Sequence, residues 1–109
     1  MTIANTGVTD LAGLARLQEV GGNFVSANNT AMVNLDALDS LVNVNGTVTI
    51  TNNTGLASIA GLNELVCVHT AVQIMDNPAL DVISGFDSLA EVQCDGVDDP
   101  VILIWALTF

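Results

Sequence analysis

The chain has 109 residues, with 12 acidic side chains against a single Arg and a formal net charge of −11. A surface that binds phosphates needs clustered Lys and Arg, so this composition disfavours nucleic acid and anionic lipid as partners. The apolar content of 50% suits a packed core, and the length corresponds to about one domain.

A pattern with a period of 24 residues runs through most of the chain. We number its segments as repeats 1 to 4, which begin at Asn5, Asn29, Asn53 and Asn77. A fixed period of 20 to 50 residues is typical of a solenoid, in which each turn packs only against its neighbours. Five columns of equivalent positions are apolar in all four repeats: Val8, Met32, Leu56, Leu80; Leu11, Leu35, Ile59, Ile83; Leu14, Leu38, Leu62, Phe86; Leu17, Leu41, Leu65, Leu89; Val20, Val44, Val68, Val92.

The N-terminal residues resemble a strand that is entered midway. Residues 1–7, MTIANTG, match residues 49–55, TITNNTG, with one residue missing. No basic stretch followed by an apolar stretch precedes Asn5, so we expect no signal peptide in this segment. A solenoid normally carries a terminal cap, and none precedes Asn5. We therefore expect these residues to be part of a longer array.

Two spacings of apolar residues alternate within each repeat. From Leu56 to Val68 an apolar residue recurs at every third position, which predicts a compact curved segment with short helical pieces. From Val68 to Ile74 the period falls to two, and the Val, Ile and Thr content favours a strand. The prediction is an α/β-type repeat solenoid of about four 24-residue turns, with one parallel sheet.

One column is polar and consists of the four Asn residues that open the repeats. Each Asn follows the inward residues of a predicted strand, where backbone amides lose their partners in the sheet. An inward Asn side chain has a carbonyl and an NH₂ group, so it can bind those amides and the next Asn as well. We predict a structural asparagine ladder formed by Asn5, Asn29, Asn53 and Asn77.

The run from Val44 through Val48, Ile50 and Asn53 to Leu65 resembles a leucine-rich repeat, with its LxLxxN core. The pieces VGGNFVSANN and VNGTVTITNNTGL, followed by GLNEL or GFDSL, are similar to the receptor L-domain variety of cell-surface proteins. This resemblance covers residues 2 to 95 and implies a right-handed solenoid from a surface or secreted protein, whose outward sheet face meets a partner. We thus expect a solenoid over residues 1–95 and an irregular capping segment over residues 96–109.

The outward face of the predicted sheet is the candidate binding surface. It is small and weakly polar, whereas the acidic residues fall mainly on the curved segments. A patch that is spared of charge suits contact with a protein or a carbohydrate, although a solvated face in a spacer domain is equally expected. The predicted binding residues are Asn45, Thr47, Thr49, His69 and Gln73.

Ice or crystal-surface binding is an alternative function, because Thr47, Thr49 and Thr51 form an alternating Thr row. The equivalent residues of the neighbouring repeats are not Thr, and a lattice-matching face would need them to be. Three glycosylation sequons begin at Asn28, Asn45 and Asn52. Asn28 and Asn52 directly precede the ladder and should point outward.

The two cysteines, Cys67 and Cys94, occupy different positions in their repeats. In an unbroken array they differ by one strand spacing and three residues along the strand, or roughly 11 Å between Cα atoms. A disulfide needs Cα atoms within about 7 Å. The expected geometry disfavours a bridge unless repeat 4 is distorted, although an extracellular setting would favour oxidation.

The pair Cys67 and His69 is the one combination that suggests chemistry. A spacing of two on a strand puts both side chains on one face, near Gln93 and Asp95 of the next repeat, so a thiol with a base or a metal site is conceivable. The pair lacks a recognisable oxyanion hole. We expect no catalytic residue, no metal and no cofactor, with a Cys-His hydrolase as a remote alternative.

The C-terminal residues leave the repeat pattern. Asp95, Asp98 and Asp99 lie in an acidic stretch whose spacing does not match a calcium-binding EF-hand loop. Residues 101–109, VILIWALTF, are apolar and β-prone, but they are too few for a membrane-spanning helix, which needs about 20 residues. We expect a closing strand there, with a truncated anchor segment as the alternative.

Overall fold

A computed structural model describes residues 1–80 and the strands Glu91–Val92 and Leu103–Ala106. It is built mainly of parallel strands with a few short helices, consistent with the predicted α/β class. The strands are β1 (Thr2–Ala4), β2 (Glu19–Val20), β3 (Phe24–Ala27), β4 (Asn43–Val44), β5 (Val48–Thr51), β6 (Cys67–Val68), β7 (Val72–Met75), β8 (Glu91–Val92) and β9 (Leu103–Ala106). Three 3₁₀ helices span Ala12–Leu14, Asp36–Leu38 and Ala60–Leu62.

The strands form two parallel sheets, and not the single sheet predicted from the sequence. Sheet A has the order β1-β3-β5-β7-β9, and sheet B has the order β2-β4-β6-β8. In repeats 1 to 3 the predicted strand is split by a bend, which falls at residues 45–46 in repeat 2. Gly46 lies in this bend so close to repeat 1 that a Cβ atom there would overlap Oδ1 of Asn23. The bend turns the chain from sheet B into sheet A.

Neighbouring strands from β2 to β8 keep a constant register between repeats, whereas β1 pairs with β3 at a separation of 23 residues and β7 pairs with β9 at a separation of 31. In sheet A, Val48 pairs with Val72 and Phe24 pairs with Val48, each 24 residues apart in the chain. In sheet B, Val44 pairs with Val68 at the same separation. The predicted 24-residue period is therefore the separation between paired residues in the middle of both sheets.

The curved segments of repeats 1 to 3 each contain a 3₁₀ helix, where the sequence predicted short helical pieces. The helices Asp36–Leu38 and Ala60–Leu62 lie against each other, and a Cβ atom on Gly61 would overlap the carbonyl oxygen of Leu35. Contact this close requires glycine at position 61, because any side chain would displace the backbone of the preceding repeat.

The apolar columns form the core between the two sheets and the helices. Every member of these columns in repeats 2 and 3 is buried, whereas Val8 is 36% exposed and Leu14 and Leu17 are partly buried. In repeat 1 the described residues pack against a neighbour on one side only, which explains the exposure. The buried apolar residues are Leu11, Val20, Phe24, Met32, Leu35, Leu38, Leu41, Val44, Val48, Ile50, Leu56, Ile59, Leu62, Leu65, Val68, Val72, Ile74 and Leu80.

Candidate functional site

The outward face of sheet A is produced by the alternation of side chains along its strands. In β5, Val48 and Ile50 are buried while Thr49 and Thr51 are partly exposed, and β3 and β7 show the same pattern. The parallel register places equivalent outward residues side by side, so that Thr49 lies between Val25 and Gln73. Each repeat therefore contributes one short row of side chains to a common surface.

This surface carries no charged side chain in the described strands. We define the outward face by the residues of β1, β3, β5 and β7 that alternate with the inward ones, together with the residues just before β5 and β7: Thr2, Ala4, Val25, Ala27, Thr47, Thr49, Thr51, Ala71, Gln73 and Met75. The acidic residues Asp36, Asp39 and Glu64 are exposed on the curved segments. The outward face is thus neutral in a strongly acidic protein.

The five predicted binding residues separate into two groups. Thr47, Thr49 and Gln73 lie on the outward face, and Thr49 pairs directly with Gln73. Asn45 and His69 are exposed in the bends between the sheets. The prediction of one continuous strand per repeat had placed all five on one surface, and the bend separates them.

Hydrogen bonds connect the bends of neighbouring repeats. The side-chain amide of Asn45 donates to Oε1 of Glu19 at 2.9 Å, and the backbone amide of His69 donates to the carbonyl of Val44 at 3.0 Å. Asn23 Oδ1 accepts from the backbone amide of Thr47 at 2.9 Å. These hydrogen bonds fix the chain segments that lead from sheet B into the strands of the outward face.

A buried column of asparagines runs beneath the ends of the sheet A strands. Asn29, Asn53 and Asn77 are at most 1% exposed. Oδ1 of Asn53 accepts from the backbone amide of Asn29 at 3.1 Å, and Oδ1 of Asn77 accepts from that of Asn53 at 3.0 Å. The Nδ2 groups of Asn53 and Asn77 donate to the carbonyls of Ser26 and Ile50 at 3.0 and 2.9 Å. Each side chain therefore binds the backbone of the preceding repeat.

Asn5 does not belong to this column, contrary to the sequence prediction. Its place is taken by Thr6, whose backbone amide and hydroxyl both donate to Oδ1 of Asn29, at 3.2 and 2.8 Å. The reason is the missing residue near the N-terminus, which makes β1 pair with β3 at a separation of 23, as in Ile3 with Ser26. Asn5 is exposed and corresponds to Asn28.

A second, exposed column lies directly beside the buried one. Asn5, Asn28, Asn52 and Asp76 have positive φ angles between 55° and 58°. Asn and Asp accept this left-handed conformation more readily than other residues with side chains. The sequence contained a signal for this column, since Asn or Asp follows every sheet A strand from β1 to β7, but its significance was missed.

Asn52 and Asp76 also line a groove of about 270 Å³, together with Thr54 and Pro78. The groove lies at the carboxyl ends of β5 and β7, where repeat 2 passes into repeat 3 and repeat 3 passes into repeat 4. No motif in the sequence pointed to this groove, because its four lining residues come from repeats 2, 3 and 4, and the sequence marked only Asn52 and Thr54, as a glycosylation sequon.

The three predicted sequons have exposed Asn side chains. Asn28 and Asn52 lie at the left-handed positions, with Thr30 and Thr54 also exposed, and Asn45 lies in a bend. The Thr row proposed for ice binding does not continue across the strands, since Thr51 lies between Ala27 and Met75.

Cys67 is disulfide-bonded, so the prediction that disfavoured a bridge is wrong. The chain's other cysteine, Cys94, lies outside the described residues. The distance estimate assumed an extended strand beyond Cys67, but β6 ends at Val68 and the chain then bends. A bonded sulfur is no thiolate nucleophile, and this removes the group on which the Cys-His hydrolase alternative depended.

In the described part of the chain, no group of three His, Cys, Asp or Glu side chains is placed to hold a metal ion. Asp95, Asp98 and Asp99, the residues considered for calcium, lie outside that part. None of the helices among the described residues has the length and apolarity needed to cross a bilayer. The predicted closing strand of the C-terminal segment corresponds to β9, which pairs with β7.

Comparison of the chain with protein-family models, with curated proteins and with solved structures gave no match. The functional argument therefore depends on the geometry of the chain itself.

Proposed function

We propose that this chain is a non-enzymatic recognition module, and that it binds a protein or carbohydrate through the outward face. The observation that carries this proposal is the neutrality of that face in a chain with a net charge of −11. Charged residues are depleted at the core of binding surfaces, because their desolvation is costly. The outward face presents ten uncharged side chains on four paired strands. A partner can therefore displace water from this face without desolvating a charged group.

We further propose that the architecture is a right-handed, leucine-rich-repeat-like solenoid of the receptor L-domain type. The 24-residue register in both sheets, the buried apolar columns and the buried asparagines support this proposal. A solenoid would make the outward face rigid, since β3, β5 and β7 each pair with a strand on both sides. Its role would be adhesion, recognition or spacing.

An extracellular or cell-surface location, within a longer protein, forms part of this proposal. Disulfides persist mainly in oxidising compartments, and Cys67 is disulfide-bonded. The exposed sequons at Asn28, Asn45 and Asn52 would be available for glycosylation in a secretory pathway. The acidic composition makes nucleic acid an unsuitable partner.

The test adds negative charge to the expected contact surface and includes a charge-matched control. The double variant Thr49→Glu, Gln73→Glu adds two negative charges to the centre of the outward face. The control Gln18→Glu, Asn63→Glu adds the same charge at exposed positions on the curved segments. Binding to immobilised candidate proteins and glycans is measured for both variants, after circular dichroism shows that both fold.

We expect the double variant on the outward face to lose binding while the control retains it. Equal binding by both variants would show that partners do not contact this face and would refute the proposed function. Equal loss by both would mean that total charge, and not the face, governs binding.

A further inference from the structure

One row of sheet B places an acidic residue, an amide and a disulfide-bonded cysteine side by side. Glu19 pairs with Asn43, and Asn43 pairs with Cys67, in the parallel register of β2, β4 and β6. Each of the three directly precedes a buried Val, so its side chain lies on the side of sheet B that faces away from the core. Neighbouring strands are about 4.8 Å apart, and the Asn43 side chain therefore lies between those of Glu19 and Cys67.

The side-chain oxygen of Asn43 is buried and accepts no hydrogen bond. Oδ1 is shielded from solvent, although the residue as a whole is partly exposed. Among the described residues it is the one buried side-chain oxygen or nitrogen without a partner. A buried acceptor without a donor destabilises the state that contains it, and in a native structure such a group points to a strained or redox-linked site.

The two neighbours that pair with Asn43 explain why this oxygen has no partner. The carboxylate of Glu19 offers acceptors only, and it accepts from Nδ2 of Asn45 at 2.9 Å. Cys67 is disulfide-bonded, so its sulfur carries no proton. A thiol, in contrast, has an S–H donor. Reduction therefore supplies a donor at the position next to Asn43.

We propose that the Cys67 disulfide is a redox-active bond, that a dithiol reductant opens it, and that Asn43 favours its reduction. The oxidised form contains the unpartnered oxygen, whereas in the reduced form the Cys67 thiol can donate to it. The cost of the unpartnered oxygen falls on the oxidised form and raises the reduction potential of the disulfide. Disulfides with raised potentials are the labile, regulatory or catalytic ones. The site lies in sheet B and is independent of the recognition function proposed for the outward face.

The reaction is a thiol–disulfide exchange. A thiolate of the dithiol attacks one sulfur of the disulfide, forms a mixed disulfide and releases the other cysteine as a thiolate. The second thiol of the reductant then attacks the mixed disulfide and releases the remaining cysteine. Two electrons pass to the protein, both cysteines become thiols after protonation, and the reductant leaves as a disulfide. Cys67 is partly exposed, so a small dithiol can reach the bond at β6.

The experiment measures the redox equilibrium between the 109-residue protein and dithiothreitol at neutral pH. Each protein is equilibrated with mixtures of reduced and oxidised dithiothreitol and alkylated with iodoacetamide, and mass spectrometry gives the reduced fraction. Asn43→Leu removes the unpartnered oxygen and keeps the branched shape of the side chain. Asn63→Leu is the control, because it makes the same change at an exposed position outside sheet B.

We expect Asn43→Leu to lower the equilibrium constant for reduction about tenfold, which corresponds to a reduction potential about 30 mV more negative. Asn63→Leu should leave the constant unchanged. Thermal unfolding of the oxidised and the reduced protein gives a second readout. Asn43→Leu should raise the Tm of the oxidised form relative to that of the reduced form, because only the oxidised form contains the unpartnered oxygen.

Three outcomes would overturn the proposal. An unchanged or larger equilibrium constant for Asn43→Leu would show that Asn43 does not favour reduction. Equal decreases for Asn43→Leu and Asn63→Leu would show that the effect is not specific to the row in sheet B. Equal changes in the Tm of the oxidised and reduced forms would assign Asn43 a packing role that is unrelated to the disulfide.

Discussion

Replacement of Asn53 by Ala should destabilise the protein far more than replacement of an exposed Asn. The Asn53 side chain is completely buried and contacts both neighbouring repeats. Its Oδ1 accepts from the amide of Asn29 at 3.1 Å, and its Nδ2 donates to the carbonyl of Ser26 at 3.0 Å and to Oδ1 of Asn77 at 3.2 Å. Ala can replace none of these contacts.

The expected decrease in the free energy of unfolding follows from the polar groups that lose the Asn53 side chain as their hydrogen-bond partner. The amide of Asn29 loses its side-chain acceptor and the carbonyl of Ser26 loses a donor, whereas Oδ1 of Asn77 keeps the backbone amide of residue 53. A buried polar group without a partner costs about 1–3 kcal/mol. We therefore expect the free energy of unfolding to fall by about 2–5 kcal/mol.

The measurement is thermal and urea denaturation followed by circular dichroism. For a domain of this size, 1 kcal/mol shifts Tm by about 4–8 °C, so Asn53→Ala should lower Tm by about 10 °C or more. The control is Asn63→Ala, at an exposed position just after the helix Ala60–Leu62, where surface substitutions change stability by about 0.5 kcal/mol or less. Equal Tm values for the two variants would refute the structural role of the asparagine column.

Three further predictions test the contacts between repeats. Thr6→Val should lower the free energy of unfolding by about 0.5–1.5 kcal/mol, because the hydroxyl bond to Asn29 is lost. Asn5→Gly should leave the free energy of unfolding nearly unchanged. A larger loss for Asn5→Gly than for Thr6→Val in urea denaturation would restore Asn5 to the asparagine column. Gly61→Ala should lower the free energy of unfolding by more than about 2 kcal/mol, because its methyl group overlaps the preceding repeat. Gly13→Ala, at a position with open space around it, should be neutral or slightly stabilising in the same assay. Similar melting temperatures for these two variants would contradict the close approach of the two repeats at Gly61. Cys94 is the chain's only other cysteine, and a bridge between it and Cys67 would close a loop of about 27 residues. Reduction of the disulfide should therefore lower the free energy of unfolding by about 3–4 kcal/mol. An unchanged Tm in reducing buffer, for a protein whose thiols react with iodoacetamide only after reduction, would contradict this.

Periodicity alone predicted the parts of the fold that repeat. The apolar columns, such as Leu35 with Ile59, are buried as expected, because equivalent positions in paired repeats meet the same environment. The buried positions of Asn29, Asn53 and Asn77 followed from their place at the strand ends. The strands of sheet A at Val48–Thr51 and Val72–Met75 followed from the alternation of side chains.

The departures from the prediction arise from a bend that recurs in repeats 1 to 3 and from two local irregularities. The bend at residues 45–46 interrupts what reads as one strand, since the sequence does not show that Gly46 packs against the preceding repeat. The missing residue before Thr6 shifted the assignment of Asn5 by one position. The disulfide at Cys67 was disfavoured because a straight strand was assumed beyond it.

The groove was not predictable from periodicity for a different reason. Its lining combines Asn52 and Thr54 of one loop with Asp76 and Pro78 of the next. A column analysis compares equivalent residues and does not show that non-equivalent ones, such as Thr54 and Asp76, face the same space. Concave surfaces between repeats depend on backbone geometry, which the sequence pattern does not specify.

Residues 24 positions apart lie side by side in the middle of sheet A and so build one neutral face. Nuclear Overhauser effects between backbone protons of the isotopically labelled protein measure this pairing. We expect contacts of Thr49 with both Val25 and Gln73, in the pattern of parallel strands. An antiparallel pattern, or contacts that are shifted in register or confined within single repeats, would contradict it.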